Sequence, residues 1–254
     1  MPAVLIYALL QILIRLVLRV FLRVEVEGRE NVPDGGFLVV SNHLSWTDTV
    51  FIMYALPRGP RLHTLANEST VFNTRFKRWL MPRVAVFPIR RNRGMLDEEA
   101  VEGVYRLLEA GERVIIFPEG AYGRDGQLRP LKDGVGYFAL NSGKPLLPVS
   151  LTGTNRLRLF GRVRVVIGRP FIPDPPRMWA IKRRVASAVA AVRTSLSRLG
   201  RRPAGRRRWF GRFRPSPARA AAAPRSAWSD VAQVARVEGT ESVIEGQEPE
   251  RQQN

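Results

Sequence analysis

The organisation of the chain is clearest in residues 37–48, which read FLVVSNHLSWTD. The apolar residues from Phe37 to Val40 form a short continuous run, which is typical of a strand buried on both faces. Polar residues follow directly, and they include a histidine and, five positions later, a carboxylate. We therefore predict a buried strand whose carboxyl end carries chemically active side chains.

Four further apolar runs have the length of buried strands, and they read RVAVFPI at 83–89, RVIIFPEG at 113–120, PLLPVSL at 145–151 and VRVVIG at 163–168. Residues 95–110 have apolar positions at helical spacing, acids near the start and Gly111 after the end, which predicts a helix. Strand, helix and strand in this order predict an α/β fold with a mainly parallel central sheet flanked by helices. Ligands bind such sheets at the carboxyl ends of the strands.

The amino terminus reads AVLIYALLQILI from residue 3 to residue 14. As a helix this run covers about 18 Å, which is shorter than the ~30 Å hydrocarbon core of a bilayer. Gln11, Arg15, Arg19 and Arg23 recur at every fourth position and predict one polar stripe. We interpret residues 1–24 as a membrane-associating amphipathic helix with its basic side toward phospholipid headgroups. The alternatives are a cleaved signal peptide and an amphipathic core helix.

The composition changes near residue 200. Residues 200–254 are rich first in Arg, Pro and Ala and then in acids, without a sustained apolar period, which predicts a disordered tail. Residues 206–214 interleave arginine with aromatic residues, a mixture suited to an anionic bilayer or to nucleic acid. A solvated charge run without a role explains them equally well. Residues 25–199 are then the single catalytic domain.

The overall charge favours anionic partners. The chain has 41 Lys and Arg against 22 Asp and Glu, a net charge of +19, so membrane headgroups, phosphorylated substrates and nucleic acid are all candidates. With no cysteine, disulfides, thiolate ligands and acyl-cysteine intermediates are excluded. Two separated histidines, His43 and His63, make a poor metal site. No glycine stands two residues before Ser150, so no serine nucleophile elbow is visible.

His43 and Asp48 are the candidate catalytic pair. If a helix begins near Ser45, its first turn can bring the Asp48 carboxylate back to the imidazole. The carboxylate would then hold one ring nitrogen and leave the other to take a proton from an alcohol. The alternative is a loop histidine that caps a turn.

Four blocks in order resemble the glycerolipid acyltransferase family, which includes 1-acyl-glycerol-3-phosphate acyltransferases. The resemblance covers about residues 35–172. The blocks are Asn42-His43 with Asp48, Phe87 to Arg90, the Phe-Pro-Glu-Gly run at 117–120, and Leu147 to Val149.

The resemblance implies an O-acyltransferase of phospholipid biosynthesis, bound to the cytoplasmic face of the cell membrane. It implies acyl-CoA or acyl-carrier protein as the thioester donor, a lysophospholipid acceptor, contact with membrane phospholipids, and no cofactor, metal or nucleic acid. It makes His43 the general base and Asp48 its orienting carboxylate. The implied substrate-binding residues are Asn42, Arg90, Glu119, Gly120 and Arg124.

The third block departs from the family pattern. Tyr122 stands where the family has an arginine that holds the phosphate of the acceptor, and a phenol lacks the paired donors of a guanidinium. Arg124 is the expected substitute. Otherwise the acceptor is another lyso-lipid, such as an amino-acid lipid with a free hydroxyl. Glu119 as a structural carboxylate and Arg90 in a solvated basic loop are the simpler interpretations of those residues.

A non-enzymatic alternative also stands at this stage. A basic protein that binds membranes or nucleic acid, with His43 incidental, would have the same charge and the same apolar amino terminus.

Overall fold

The computed structural model describes residues 3–92, 95–96, 98–123, 128–175 and 180–200. The strands are β1 (Arg23–Glu27), β2 (Phe37–Ser41), β3 (Leu62–Asn67), β4 (Val86–Ile89), β5 (Arg91–Asn92), β6 (Met95–Leu96), β7 (Arg113–Ile116), β8 (Leu146–Thr152) and β9 (Arg162–Ile167). The α-helices are α1 (Ala3–Phe21), α2 (Asp48–Ala55), α3 (Glu68–Val71), α4 (Arg75–Leu80), α5 (Glu98–Glu109), α6 (Gly134–Ser142) and α7 (Ile181–Gly200). Short 3-10 turns cover Arg29–Asn31, Met81–Val84 and Thr154–Arg156.

Seven strands form one sheet in the order β1-β9-β8-β2-β7-β3-β4, and β5 pairs with β6 in a separate small ribbon. From β8 through β4 every neighbouring pair is parallel. The β8–β9 pair is antiparallel, whereas β1 runs parallel to β9. Since β2 lies between β7 and β8, it is at the centre of the parallel part.

Each face of the sheet has its own apolar core. On one face Phe37 and Val39 of β2 pack in a cluster that includes residues of α1 and α2. On the other face Leu38 and Val40 pack in a cluster formed with α5, α6 and α7. This alternation follows from the pleat, which turns successive side chains to opposite faces. It also explains why β2 is apolar from Phe37 to Val40, because both of its faces are buried.

The structure confirms the predicted α/β fold with a mainly parallel sheet between helices. The predicted strand at 83–89 is shorter than expected, since Met81–Val84 form a 3-10 turn and only Val86–Ile89 pair. The predicted helix at 95–110 begins at Glu98, after β6. The predicted disordered tail lies outside the described residues, apart from Gly200 at the end of α7.

Helix α1 lies against the domain with its polar stripe partly turned inward. Gln11 is 6% exposed, and the Arg15 guanidinium donates to the carbonyls of Tyr54 and Leu56 at 3.1 and 2.7 Å. The expectation that the stripe faces headgroups is therefore wrong for Gln11, which is buried. Arg15 is half-buried, and two of its nitrogens bind carbonyls at the end of α2, which the sequence does not reveal. Arg19 and Arg23 are exposed, as expected.

The outer face of α1 is apolar instead. Its exposed large side chains are Val4, Leu5, Leu9, Ile12, Leu13, Leu16, Val17, Val20 and Phe21. Among the described helices α1 alone is long and apolar enough to cross a bilayer, by a test of length and composition that signal sequences and core helices also pass. Its inner face is fixed to the domain, since the Tyr7 hydroxyl accepts from the buried Leu62 amide at 2.8 Å.

Candidate active site

The site lies at the carboxyl ends of β2 and β7, which are neighbours with Val40 paired to Ile116. His43 follows β2 and Glu119 follows β7, so the sheet brings together two sequence blocks that are 76 residues apart. This is the edge at which ligands bind parallel α/β sheets.

Asp48 is fully buried and holds the imidazole. Its Oδ2 accepts from His43 Nδ1 at 2.8 Å and from the backbone amides of Leu44 and Ser45 at 2.6 and 2.9 Å. One oxygen thus organises the whole turn between β2 and α2. Helix α2 begins at Asp48 and not near Ser45 as predicted, because the carboxylate binds the amides before the helix and closes a tight turn there.

Two aromatic rings contact the imidazole. Phe117 stacks on His43 with ring centroids 3.8 Å apart and planes 13° apart, and the tilted ring of Tyr122 lies 4.4 Å away. Trp46, in the turn between the two catalytic candidates, is 76% exposed, and Tyr122 is 50% exposed. The surroundings of the imidazole are therefore apolar and open to an amphiphilic ligand.

Glu119 and Asn42 bind backbone groups. The buried Glu119 carboxylate accepts from the His43 amide through Oε1 and from the Arg129 amide through Oε2, each at 2.8 Å. The Asn42 side chain donates to the carbonyl of Leu151 at 3.0 Å and accepts from its amide at 2.8 Å. Both residues thereby fix the loop that carries His43. Their contact with substrate stays a prediction.

Two cations that the sequence did not single out lie beside this loop. Gly120 has a φ of 67°, and a Cβ placed on it would lie 2.6 Å from Cε and 2.9 Å from Nζ of Lys132. The Lys132 amide donates to the carbonyl of Pro118 at 2.8 Å, and Arg129 donates to the carbonyl of Tyr122 at 3.2 Å. Because Gly120 has no side chain, the Lys132 side chain can lie directly against its backbone. No local sequence signal indicates that residues 129–132 return to residues 118–122.

The two arginines predicted from the sequence, Arg90 and Arg124, are not seen beside the loop that carries His43. Arg90 follows β4, which β7 and β3 separate from β2, and its exposed side chain forms an ion pair with Glu68. The hydrogen bond from Arg90 lowers the pKa of the Glu68 carboxyl. Arg124 lies outside the described residues.

The second histidine belongs to the core. His63 in β3 is 5% exposed, its Nε2 lies 3.9 Å from Glu112 Oε2, and burial lowers its pKa to about 4. A neutral, buried imidazole of this kind is structural. In the described part of the chain no three His, Cys, Asp or Glu side chains group as a metal site would require.

The sequence is similar to those of known acyltransferases. The chain is 29% identical over 160 residues to a chloroplastic 1-acyl-sn-glycerol-3-phosphate acyltransferase of Brassica napus, covering 59% of this chain and 45% of that protein. Over 134 residues it is 29% identical to the human 1-acyl-sn-glycerol-3-phosphate acyltransferase alpha, covering 52% and 46% of the two chains. The chain thus spans about half the length of the curated relatives it matches.

A solved structure has a similar fold. The crystal structure of the 1-acyl-sn-glycerophosphate acyltransferase PlsC from Thermotoga maritima superposes with a TM-score of 0.58 at 25% identity, over 77% of this chain and 81% of that one. The family model described as Acyltransferase matches residues 23–152, which is just over half of the chain and includes His43, Asp48, Glu119 and Gly120. The chain therefore belongs to the acyltransferase family.

Proposed function

We propose that the chain transfers a fatty acyl group from acyl-CoA or acyl-carrier protein to the hydroxyl of 1-acyl-glycerol-3-phosphate, giving phosphatidic acid in phospholipid biosynthesis. The observation that carries the proposal is the 2.8 Å hydrogen bond between His43 Nδ1 and the buried Asp48 carboxylate. Because Asp48 occupies Nδ1, Nε2 is the nitrogen available to an acceptor hydroxyl.

In this mechanism His43 Nε2 takes the proton of the hydroxyl as its oxygen attacks the thioester carbonyl. The C–S bond of the resulting tetrahedral intermediate breaks, and the departing thiolate takes the proton from the imidazolium. Asp48 keeps its negative charge throughout and stabilises the imidazolium. No enzyme-bound acyl group forms, so the reaction needs no nucleophilic cysteine or serine.

Lys132 and Arg129 are the residues that we expect to bind the phosphate of the acceptor. Both are exposed, and both lie in the segment that packs against residues 118–122. They compensate in charge for Tyr122, which occupies the position of the family's arginine. An ammonium group beside Gly120 supplies a point charge but not the paired donors of a guanidinium.

The membrane supplies the lipid in this proposal. Helix α1 ends at Phe21, whose carbonyl accepts from the Phe160 amide at 2.8 Å. Phe160 and the exposed Leu157 and Leu159 connect β8 to β9 at the same sheet edge as His43, because β8 is parallel to β2. The exposed face of α1 therefore leads to the active-site edge, and we assign it to the cytoplasmic surface of the cell membrane.

A second acceptor class is favoured by Tyr122. Its ring contacts the catalytic imidazole at 4.4 Å, where the family has a cationic side chain. An aromatic ring at this position suits an acceptor with less charge near its hydroxyl, such as an amino-acid lipid or another lyso-lipid.

A product assay by mass spectrometry tests both candidates. Purified protein in detergent is offered acyl-CoA or acyl-carrier protein together with lysophosphatidic acid or one of several lyso-lipids. We expect phosphatidic acid from the native protein and none from His43→Ala. Failure of every acceptor with both donors would contradict the proposal.

Two variants of Tyr122 separate the acceptor classes. If lysophosphatidic acid is the native acceptor, Tyr122→Phe should retain its use. If the native acceptor lacks a phosphate monoester, Tyr122→Arg should shift the preference toward lysophosphatidic acid, and Tyr122→Phe should not.

A further inference from the structure

A cavity outside the reaction centre is lined by arginines. It measures about 320 Å³, and its lining consists of Arg15 and Arg19 of α1, Tyr54 and Arg58 at and just beyond the end of α2, and Arg29 after β1. Arg15 lies 5.9 Å and Arg29 5.8 Å from the centroid of the Tyr54 ring, so two guanidinium groups share one aromatic ring. Three chain segments thus converge on a single basic cavity.

No carboxylate among the described residues pairs with the positive charges of this cavity. Burial and then the like charges of Arg29 and Arg58 lower the pKa of Arg15. Two nitrogens of Arg15 donate to carbonyls, while its buried Nε has no partner among the described residues.

Other arginines of the protein behave differently. Arg61 pairs with Glu112, Arg106 with Glu102 and Arg164 with Glu27. Four arginines in one cavity without a described carboxylate partner repel one another, and this repulsion is relieved when an anion binds between them.

The cavity lies away from the catalytic pair. Asp48 is the first residue of α2, whereas Tyr54 and the carbonyl of Leu56 are at its other end, about 10 Å away along the helix. On α1, Arg19 lies next to the exposed apolar side chains of Ile12 and Leu16. The cavity therefore opens at the border between the apolar face of α1 and the polar domain.

We propose that this cavity binds the phosphate group of an anionic membrane phospholipid, at a site separate from the one where acyl transfer occurs. Guanidinium groups match phosphate oxygens with paired donors, and the acyl chains of a bound lipid would lie along the outer face of α1. The inference rests on the membrane attachment proposed above and does not depend on the acyl-transfer reaction.

The double variant Arg29→Gln with Arg58→Gln tests the site. Both side chains are exposed and lie outside α1, whereas Arg15 is left intact because it binds α2. The matched control is Arg193→Gln with Arg198→Gln, which removes two exposed charges from α7. Binding of the full-length protein is measured on phosphatidylcholine vesicles, alone or with phosphatidic acid, and on vesicles given the same surface charge by cholesteryl hemisuccinate.

We expect the cavity variant to bind phosphatidic acid vesicles about 10- to 30-fold more weakly than the native protein, with unchanged binding to phosphatidylcholine alone. The control variant, Arg193→Gln with Arg198→Gln, should lose much less affinity for the same vesicles. Equal losses in both double variants, on both kinds of anionic vesicle, would show that diffuse charge attracts the protein and would overturn the proposal.

Thermal unfolding measured at several concentrations of inorganic phosphate tests whether the cavity binds a soluble phosphate and not a lipid phosphate. Stabilisation by millimolar phosphate that requires Arg29 and Arg58, without any change in vesicle binding, would overturn the assignment to a lipid. If the native protein fails to bind even phosphatidylcholine vesicles, attachment through α1 is wrong and the proposed lipid site is overturned with it, whereas the acyl-transfer reaction is tested separately by the product assay.

Discussion

Replacing Asp48 with asparagine should slow acyl transfer by about 10²- to 10⁴-fold and leave the protein folded. In the native site one oxygen of Asp48 accepts three N–H groups, from His43 Nδ1 and from the amides of Leu44 and Ser45. The amide oxygen of asparagine can replace this oxygen, but it carries no full negative charge. The imidazolium that forms during proton transfer then loses its charged partner.

The structure also fixes how the asparagine must lie. Its NH₂ group cannot face three N–H donors, so it must occupy the position of Oδ1, which is buried and has no hydrogen-bond partner among the described residues. An unsatisfied buried donor costs about 1–3 kcal/mol. For a chain of this size that loss lowers Tm by roughly 2–4 °C per kcal/mol, so the variant remains folded at assay temperature.

The assay compares kcat/KM of Asp48→Asn, His43→Ala and the double variant, with circular dichroism to establish folding. Because the two residues act as a unit, the double variant should be no slower than His43→Ala alone. A folded Asp48→Asn protein that transfers acyl groups at the native rate would refute the role of the carboxylate, and fully multiplicative losses would refute the coupling between the two residues.

Three further outcomes are expected. Lys132→Ala should raise KM for lysophosphatidic acid about 10-fold or more, whereas Arg106→Ala, which removes an exposed charge on α5, should not; equal KM values would remove Lys132 from the acceptor site. Burial holds His63 neutral with a pKa of about 4 against an ordinary 6.5, so its contribution to stability is complete above pH 6.5 and is lost toward pH 4. Urea unfolding at several pH values should show His63→Gln losing about 3 kcal/mol less than the native protein across this window, and parallel curves would contradict the assignment. Tyr7→Phe removes the acceptor of the buried Leu62 amide and should cost about 1–3 kcal/mol in the same unfolding measurement; an unchanged midpoint would mean that the amide finds another partner.

The central part of the fold was predictable because its buried strands consist mainly of apolar residues. Strands β2, β7 and β8 are buried over most of their length, so their sequences are mostly apolar. Strands β1 and β3 were not predicted, because they are less buried and their sequences are less apolar. RVEVE in β1 alternates charged and apolar residues at the edge of the sheet, and LHTLAN in β3 is partly exposed, so neither has the composition of a buried strand.

The contact between His43 and Asp48 was predictable because the two residues are close in the sequence and follow a buried strand. The return of Lys132 and Arg129 to the loop after β7 was not, since it depends on a turn that closes through the backbone hydrogen bond from Lys132 to Pro118. The sequence also could not predict which face of α1 contacts the domain. Periodicity shows that Gln11 and Arg15 share a side, but only the position of α2 decides that this side is the inner one.

The inward attachment of α1 has a practical consequence for anyone who wants the protein free of lipid. Deleting the hydrophobic start of the chain would strip Arg15 from the carbonyls of Tyr54 and Leu56 and uncover core that Tyr7 and Leu18 now shield. We therefore expect a chain shortened in this way to precipitate and not to become water-soluble. Polar replacements confined to outward positions such as Leu9 and Leu13 offer a sounder route to crystals or NMR samples.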